Sequence, residues 1–149
     1  MKNTIGRRQQ INVSLNTRVL IFDCISFAFV LLFIYTACSK ILTFSVFTET
    51  LAKLPLIGGC AGFLAYAIPA VEILISLLLI IPLAKRLGMI AALLLMSLFT
   101  LFLVYMVATV TYLPCSCGGV ISRLSWEQHI LFNTAFIIAA IFGLRINRR

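Results

Sequence analysis

Four apolar stretches, each long enough to cross a lipid bilayer, alternate with short polar or basic breaks along this chain. The first runs from Val19 to Ser39 between Arg18 and Lys40. At about 1.5 Å per residue it reaches roughly 31 Å, the thickness of a bilayer's hydrocarbon layer. The second runs from Cys60 to Ile81, the third from Leu87 to Leu113, and the fourth from Trp126 to Leu144. Ser125, with Gln128 three residues on, fits a capping box and predicts where the fourth helix begins.

Between the first two stretches the pattern changes. Ile41, Phe44, Phe47, Leu51 and Leu54 recur at helical spacing, with Thr48, Glu49 and Lys53 between them. This predicts a short amphipathic helix lying in the membrane interface, ended by Pro55 and Gly58-Gly59. The expected fold is therefore all-α: an integral membrane four-helix bundle with a short interfacial amphipathic helix between helices 1 and 2. Residues 1–18 read as a flexible basic tail, 19–144 as the transmembrane domain and 145–149 as a second basic tail. The polar start and the length of the first apolar run argue for an anchor that stays, not a cleaved signal. Asp23, one turn inside that run, is expected to reach back to the interface near Arg18.

Composition agrees. The chain has 149 residues, 62% hydrophobic and 11% charged, where soluble domains carry roughly 25% charged. Its net charge of +8 excludes little alone, but the cations flank the apolar runs, which fits membrane topology and not nucleic-acid binding. With four spans, Lys2, Arg7, Arg8, Arg18, Lys85, Arg86, Arg145, Arg148 and Arg149 share one side. Only Lys40, Lys53 and Arg123 fall on the other. That bias predicts cytoplasmic termini in a bacterial inner membrane, with the loop between helices 3 and 4 facing the oxidising periplasm.

That loop carries Pro114-Cys115-Ser116-Cys117-Gly118-Gly119. Bridged cysteines hold their α-carbons about 4.4–6.8 Å apart, which residues two apart reach only in a bent backbone, and Gly118-Gly119 supply freedom beside the bend. A strained bond of this kind is easily reduced, so the pair suits thiol–disulfide exchange better than stapling. Cys38 and Cys60 are expected near the same surface, and Cys24 apart from them. The alternatives remain a metal held by these thiols with His129, the lone histidine, or no chemistry at all.

Helix 4 begins with Trp126, Glu127 and His129. Its N-terminus favours a nearby thiolate, and His129 is a candidate proton shuttle, against an interfacial belt formed with Trp126. Arg123 either steadies a thiolate or touches headgroups. Glu72, near Pro69, is the deepest ionisable group. A carboxyl at that depth signals function, as a proton acceptor for a reduced quinone, or else forms a protonated contact between helices. Electrons leaving a dithiol need a terminal acceptor, which points to a membrane quinone with Glu72 and Trp126 as candidate contacts. No metal cofactor is expected.

Tyr35-Thr-Ala-Cys38-Ser-Lys40, Pro69-x-x-Glu72, the Pro-Cys-Ser-Cys-Gly-Gly loop and Trp126-x-x-His129-x-x-x-Asn133 together resemble the MauE/DoxX-like family of membrane proteins over about residues 21–143. The loop with Trp-x-x-His is the most specific part. The resemblance implies a four-helix membrane protein serving redox maturation, its namesake being linked to the disulfides of a periplasmic methylamine dehydrogenase subunit. It makes Cys115 and Cys117 the exchanging pair, with Cys38 and Lys40 in support. The expected partners are the bilayer, a separate extracytoplasmic thiol protein and a membrane complex. The competing reading is a non-enzymatic subunit of an envelope complex whose cysteines brace outer loops. A small-solute transporter is weaker, because Glu72 is the one polar group offered inside the spans.

Overall fold

The computed structural model describes the backbone of residues 2–54, 57–109 and 126–147, with side chains described from residue 16 to residue 147 within those limits, save 109, 126 and 127. Helix α1 is Lys2–Leu42 and α2 is Phe44–Ala52. A 3-10 turn at Gly58–Cys60 leads into α3, Ala61–Ile80; α4 is Lys85–Thr109 and α5 is Trp126–Ile146. Among the described residues there is no strand. Among them, four stretches are long and apolar enough to cross a membrane: Asn16–Leu42, Gly58–Ile80, Lys85–Ala108 and Gln128–Ile146.

Helix α1 lies chiefly against α3 and also against α5, while α4 lies against α3 and α5. The cyclic order is therefore α1, α3, α4, α5. Each helix turns one stripe of residues inward, at spacings of three and four. Phe22, Phe29 and Phe33 of α1 meet Ile75 and Leu79 of α3, Met89 and Met96 of α4, and Ala140 of α5. Small residues let the backbones approach, with Ala37, Ala65, Ala92 and Ala140 wholly buried. The outward faces stay apolar, among them Leu20, Phe27, Leu31, Leu94, Leu98 and Leu131. Water would penalise such a surface, whereas lipid does not.

Gly88 explains how closely α3 and α4 can meet. A Cβ there would lie 2.9 Å from backbone atoms of both Leu78 and Leu79, so the hairpin closes because that atom is missing. Gly58 plays the same part for α2: a Cβ there would stand 2.6 Å from the Ala52 carbonyl oxygen.

The fold class is as expected, with differences at the ends. Helix α1 does not begin at residue 19 but at Lys2, so the first residues are helical and not a flexible tail. Once a span is helical, each added residue needs only propagation, not a new nucleus. Helix α2 is present and packs on α3. Its Phe47 and Leu51 bury against Ala61 and Ala65, with Phe44, Leu54 and Ile57 around them. Ile41, expected on that face, is exposed. On the outer side Lys53 donates to Glu49 at 2.7 Å, and this bond and charge hold the Glu49 carboxyl below its ordinary range.

Asp23 does not turn to Arg18. The α3–α4 turn brings Lys85 to it, and the ammonium donates to the carboxylate at 2.8 Å. The carboxylate is 46% exposed, so Asp23→Asn should cost about 1 kcal/mol or less, as read by thermal unfolding in detergent.

Candidate functional site

The inward stripes of three helices carry buried polar residues. On α1 the stripe through Phe29, Phe33 and Ala37 ends on Lys40; on α3 the stripe through Ala61, Ala65 and Pro69 reaches Glu72 and Ser76; on α5 it begins with His129 and Asn133. Residues spaced by three or four share a helix face, so each of these groups points inward. Lys40, Glu72, His129 and Asn133 are all buried.

Lys40 Nζ donates to Glu72 Oε1 at 2.7 Å, with side-chain exposures of 10% and 9%. This corrects the expected boundary of helix 1. Lys40 does not flank the span at the interface; it is an interior residue. The last turn of α1 meets the middle of α3, because α2 and the first half of α3 continue past the end of α1. Phe47 of α2 lies across that end, its ring centroid 5.9 Å from Lys40 Nζ, a separation at which a ring face attracts an ammonium.

The His129 ring packs against Phe99, with the centroids 5.7 Å apart. The Thr36 hydroxyl stands beside the Glu72 carboxyl while donating to the Phe33 carbonyl at 3.2 Å. Ser76 donates to the Glu72 carbonyl at 2.9 Å and Ser26 to that of Phe22 at 2.8 Å. Among the described residues, two buried side-chain atoms have no hydrogen-bond partner, Glu72 Oε2 and Asn133 Nδ2. One is an acceptor and the other a donor, and in an apolar interior each is costly to leave unpaired.

Of the candidate thiols, Cys38 and Cys60 are exposed and unbridged, as is Cys24 near the opposite end. Cys38 precedes Lys40 by two residues and so faces away from the interior. Cys60 stands twelve residues before Glu72, roughly 18 Å along α3. The two thiols therefore sit at different depths and are not paired with each other. Cys115, Cys117, Arg123 and Ser125 lie outside the described residues, as does the side chain of Trp126. The segment holding the two loop cysteines joins Thr109 of α4 to Trp126 of α5. Among the described residues no group of three or more His, Cys, Asp and Glu side chains is placed to hold a metal.

Sequence reasoning singled out Glu72 and His129 but missed that Lys40 is the buried partner of Glu72. Asn133 entered only as part of a resemblance. The signal was present, since both lie on the inward stripes of their helices.

Four apolar spans wrapped around a charged pair define a multi-pass membrane protein with a polar interior. Residues 18–146 match the family described as methylamine utilisation protein MauE, and the chain belongs to the MauE family. No curated protein and no solved structure matches it.

Proposed function

We propose that this protein is a membrane thiol–disulfide redox protein, or an accessory to one, supporting disulfide formation in an extracytoplasmic partner. MauE-type maturation of methylamine dehydrogenase is the corresponding activity. The observation that supports the reading is the position of the Cys115/Cys117 segment in the chain. It leads into α5 at Trp126, three residues before the buried His129, which follows Cys117 by twelve positions in the chain.

In this reading a partner thiolate attacks the Cys115–Cys117 disulfide and forms a mixed disulfide, releasing the other sulfur as a thiolate. A second partner thiol then displaces the first bond, leaving the partner oxidised and Cys115 and Cys117 reduced. Two electrons and two protons have entered the chain, and a membrane quinone takes both to become a quinol. The basic flanks favour cytoplasmic termini in a bacterial inner membrane, with the dithiol in the periplasm.

Cys117→Ser removes the sulfur that would release Cys115. When the Cys115 thiolate attacks the disulfide of an oxidised partner, displacing one partner sulfur as thiolate, the mixed disulfide should persist, visible as a reducible adduct on a non-reducing gel and identified by mass spectrometry. No adduct in oxidising cells, with Cys115 still a free thiol, would overturn the reading in favour of a subunit whose loop cysteines merely brace it.

A further inference from the structure

We infer that the end of the bundle where Asp23 meets Lys85 is a docking site for an anionic phospholipid, whose phosphate Arg18 and Arg145 attract. The inference is independent of the thiol chemistry.

Three helices bring cations to one layer there. Lys85, the first residue of α4, donates to Asp23 of α1 at 2.8 Å. Gly143 of α5 lies at the same height, since a Cβ on it would stand 3.3 Å from the ring of Phe22, the residue before Asp23. Helices α1 and α5 run antiparallel, with Phe29 against Phe136 as Phe22 is against Gly143. Arg18, four residues before Phe22, and Arg145, two residues after Gly143, therefore extend past that layer in the same direction. At about 1.5 Å per residue they stand roughly 6 Å and roughly 3 Å beyond it. Both are exposed. The ion pairs among the described residues are Lys40–Glu72, Lys53–Glu49 and Lys85–Asp23, so no acid matches either arginine. The sequence supplies no other acidic side chain at this end. Of its four acidic residues, Glu49 and Glu127 belong to the opposite end, Glu72 is interior, and Asp23 is held by Lys85.

The surroundings select the ligand. Val19 and Leu20 follow Arg18, Phe142 lies one turn before Arg145, and Leu83 stands in the turn before Lys85; all four are exposed. A guanidinium fork suits a phosphate, and the apolar side chains beside it suit acyl chains. A polyanion without such chains, a nucleic acid for example, would leave that apolar surface in water. Cations near a membrane surface each strengthen the attraction for anionic lipid, over about one Debye length. Lys85 adds little to this attraction, because Asp23 offsets its charge.

The test uses the full chain in a nonionic detergent, titrated with phosphatidylglycerol, phosphatidylcholine or inorganic phosphate, with bound molecules counted by native mass spectrometry. Phosphatidylglycerol should be retained in preference to phosphatidylcholine, and phosphate alone should not be held. Arg18→Gln and Arg145→Gln should each weaken phosphatidylglycerol binding about fivefold, with circular dichroism showing that both remain folded. Asp23→Asn, which removes the negative charge beside Lys85, should tighten it by a similar factor. Lys53→Gln removes one positive charge at the opposite end and should change nothing. Equal retention of the two lipids would overturn the site, as would binding that neither arginine variant weakens. A loss as large in Lys53→Gln as in the arginine variants would reduce the effect to net charge. Phosphate held as tightly as the lipid would replace the lipid site with one for a free anion. Either result would also overturn the inference.

Discussion

Lys40→Met is expected to destabilise the protein by about 3–5 kcal/mol, the usual loss when one member of a buried ion pair is removed. The reverse variant, Glu72→Leu, strands the Lys40 ammonium in the same way and should cost a similar amount. Combining Lys40→Met with Glu72→Leu should recover most of the loss, because an apolar pair of similar volume carries no desolvation penalty. Unfolding in mixed micelles, followed by circular dichroism, checks all three. A double variant as unstable as the sum of the singles would show that the two side chains do not act as a pair.

Gly88→Val is expected to separate α3 from α4 and to lower stability by about 1–3 kcal/mol or more. The contact it creates is with the backbone of Leu78 and Leu79 at 2.9 Å, which cannot rotate aside as a side chain does. A control at Gly62, where a Cβ would meet nothing within 4 Å, should be neutral or slightly stabilising when changed to alanine. The same unfolding measurement, run on both variants, separates a steric effect at one site from a general intolerance of larger residues.

The architecture was legible because lipid-crossing helices need long uncharged runs, and these are visible without any knowledge of contacts. The site was legible only in part. A carboxyl at Glu72 and a histidine at His129 stand out against an apolar background. Lys40, at the edge of its run, looks like an ordinary flanking cation until α2 is seen to fold over it. That distinction depends on where one helix stops relative to another, which hydropathy does not encode. Asp23 was misread for the same reason: its partner Lys85 is 62 positions away in the chain. The inward stripes were the available clue. Lys40 follows Phe33 and Ala37 at the spacing that buries them, as Asn133 follows His129.

Two ion pairs among the described residues of α1 have opposite polarity, and this has a consequence for assembly. Toward one end α1 offers an acid, Asp23, to the base Lys85; toward the other it offers a base, Lys40, to the acid Glu72. In oil-like surroundings apolar side chains hardly distinguish one sliding position from another. An upside-down α3–α4 hairpin would bring carboxylate toward carboxylate and ammonium toward ammonium. The helix thus carries a two-letter electrostatic key, seventeen residues long, that admits its neighbours in one direction and at one height.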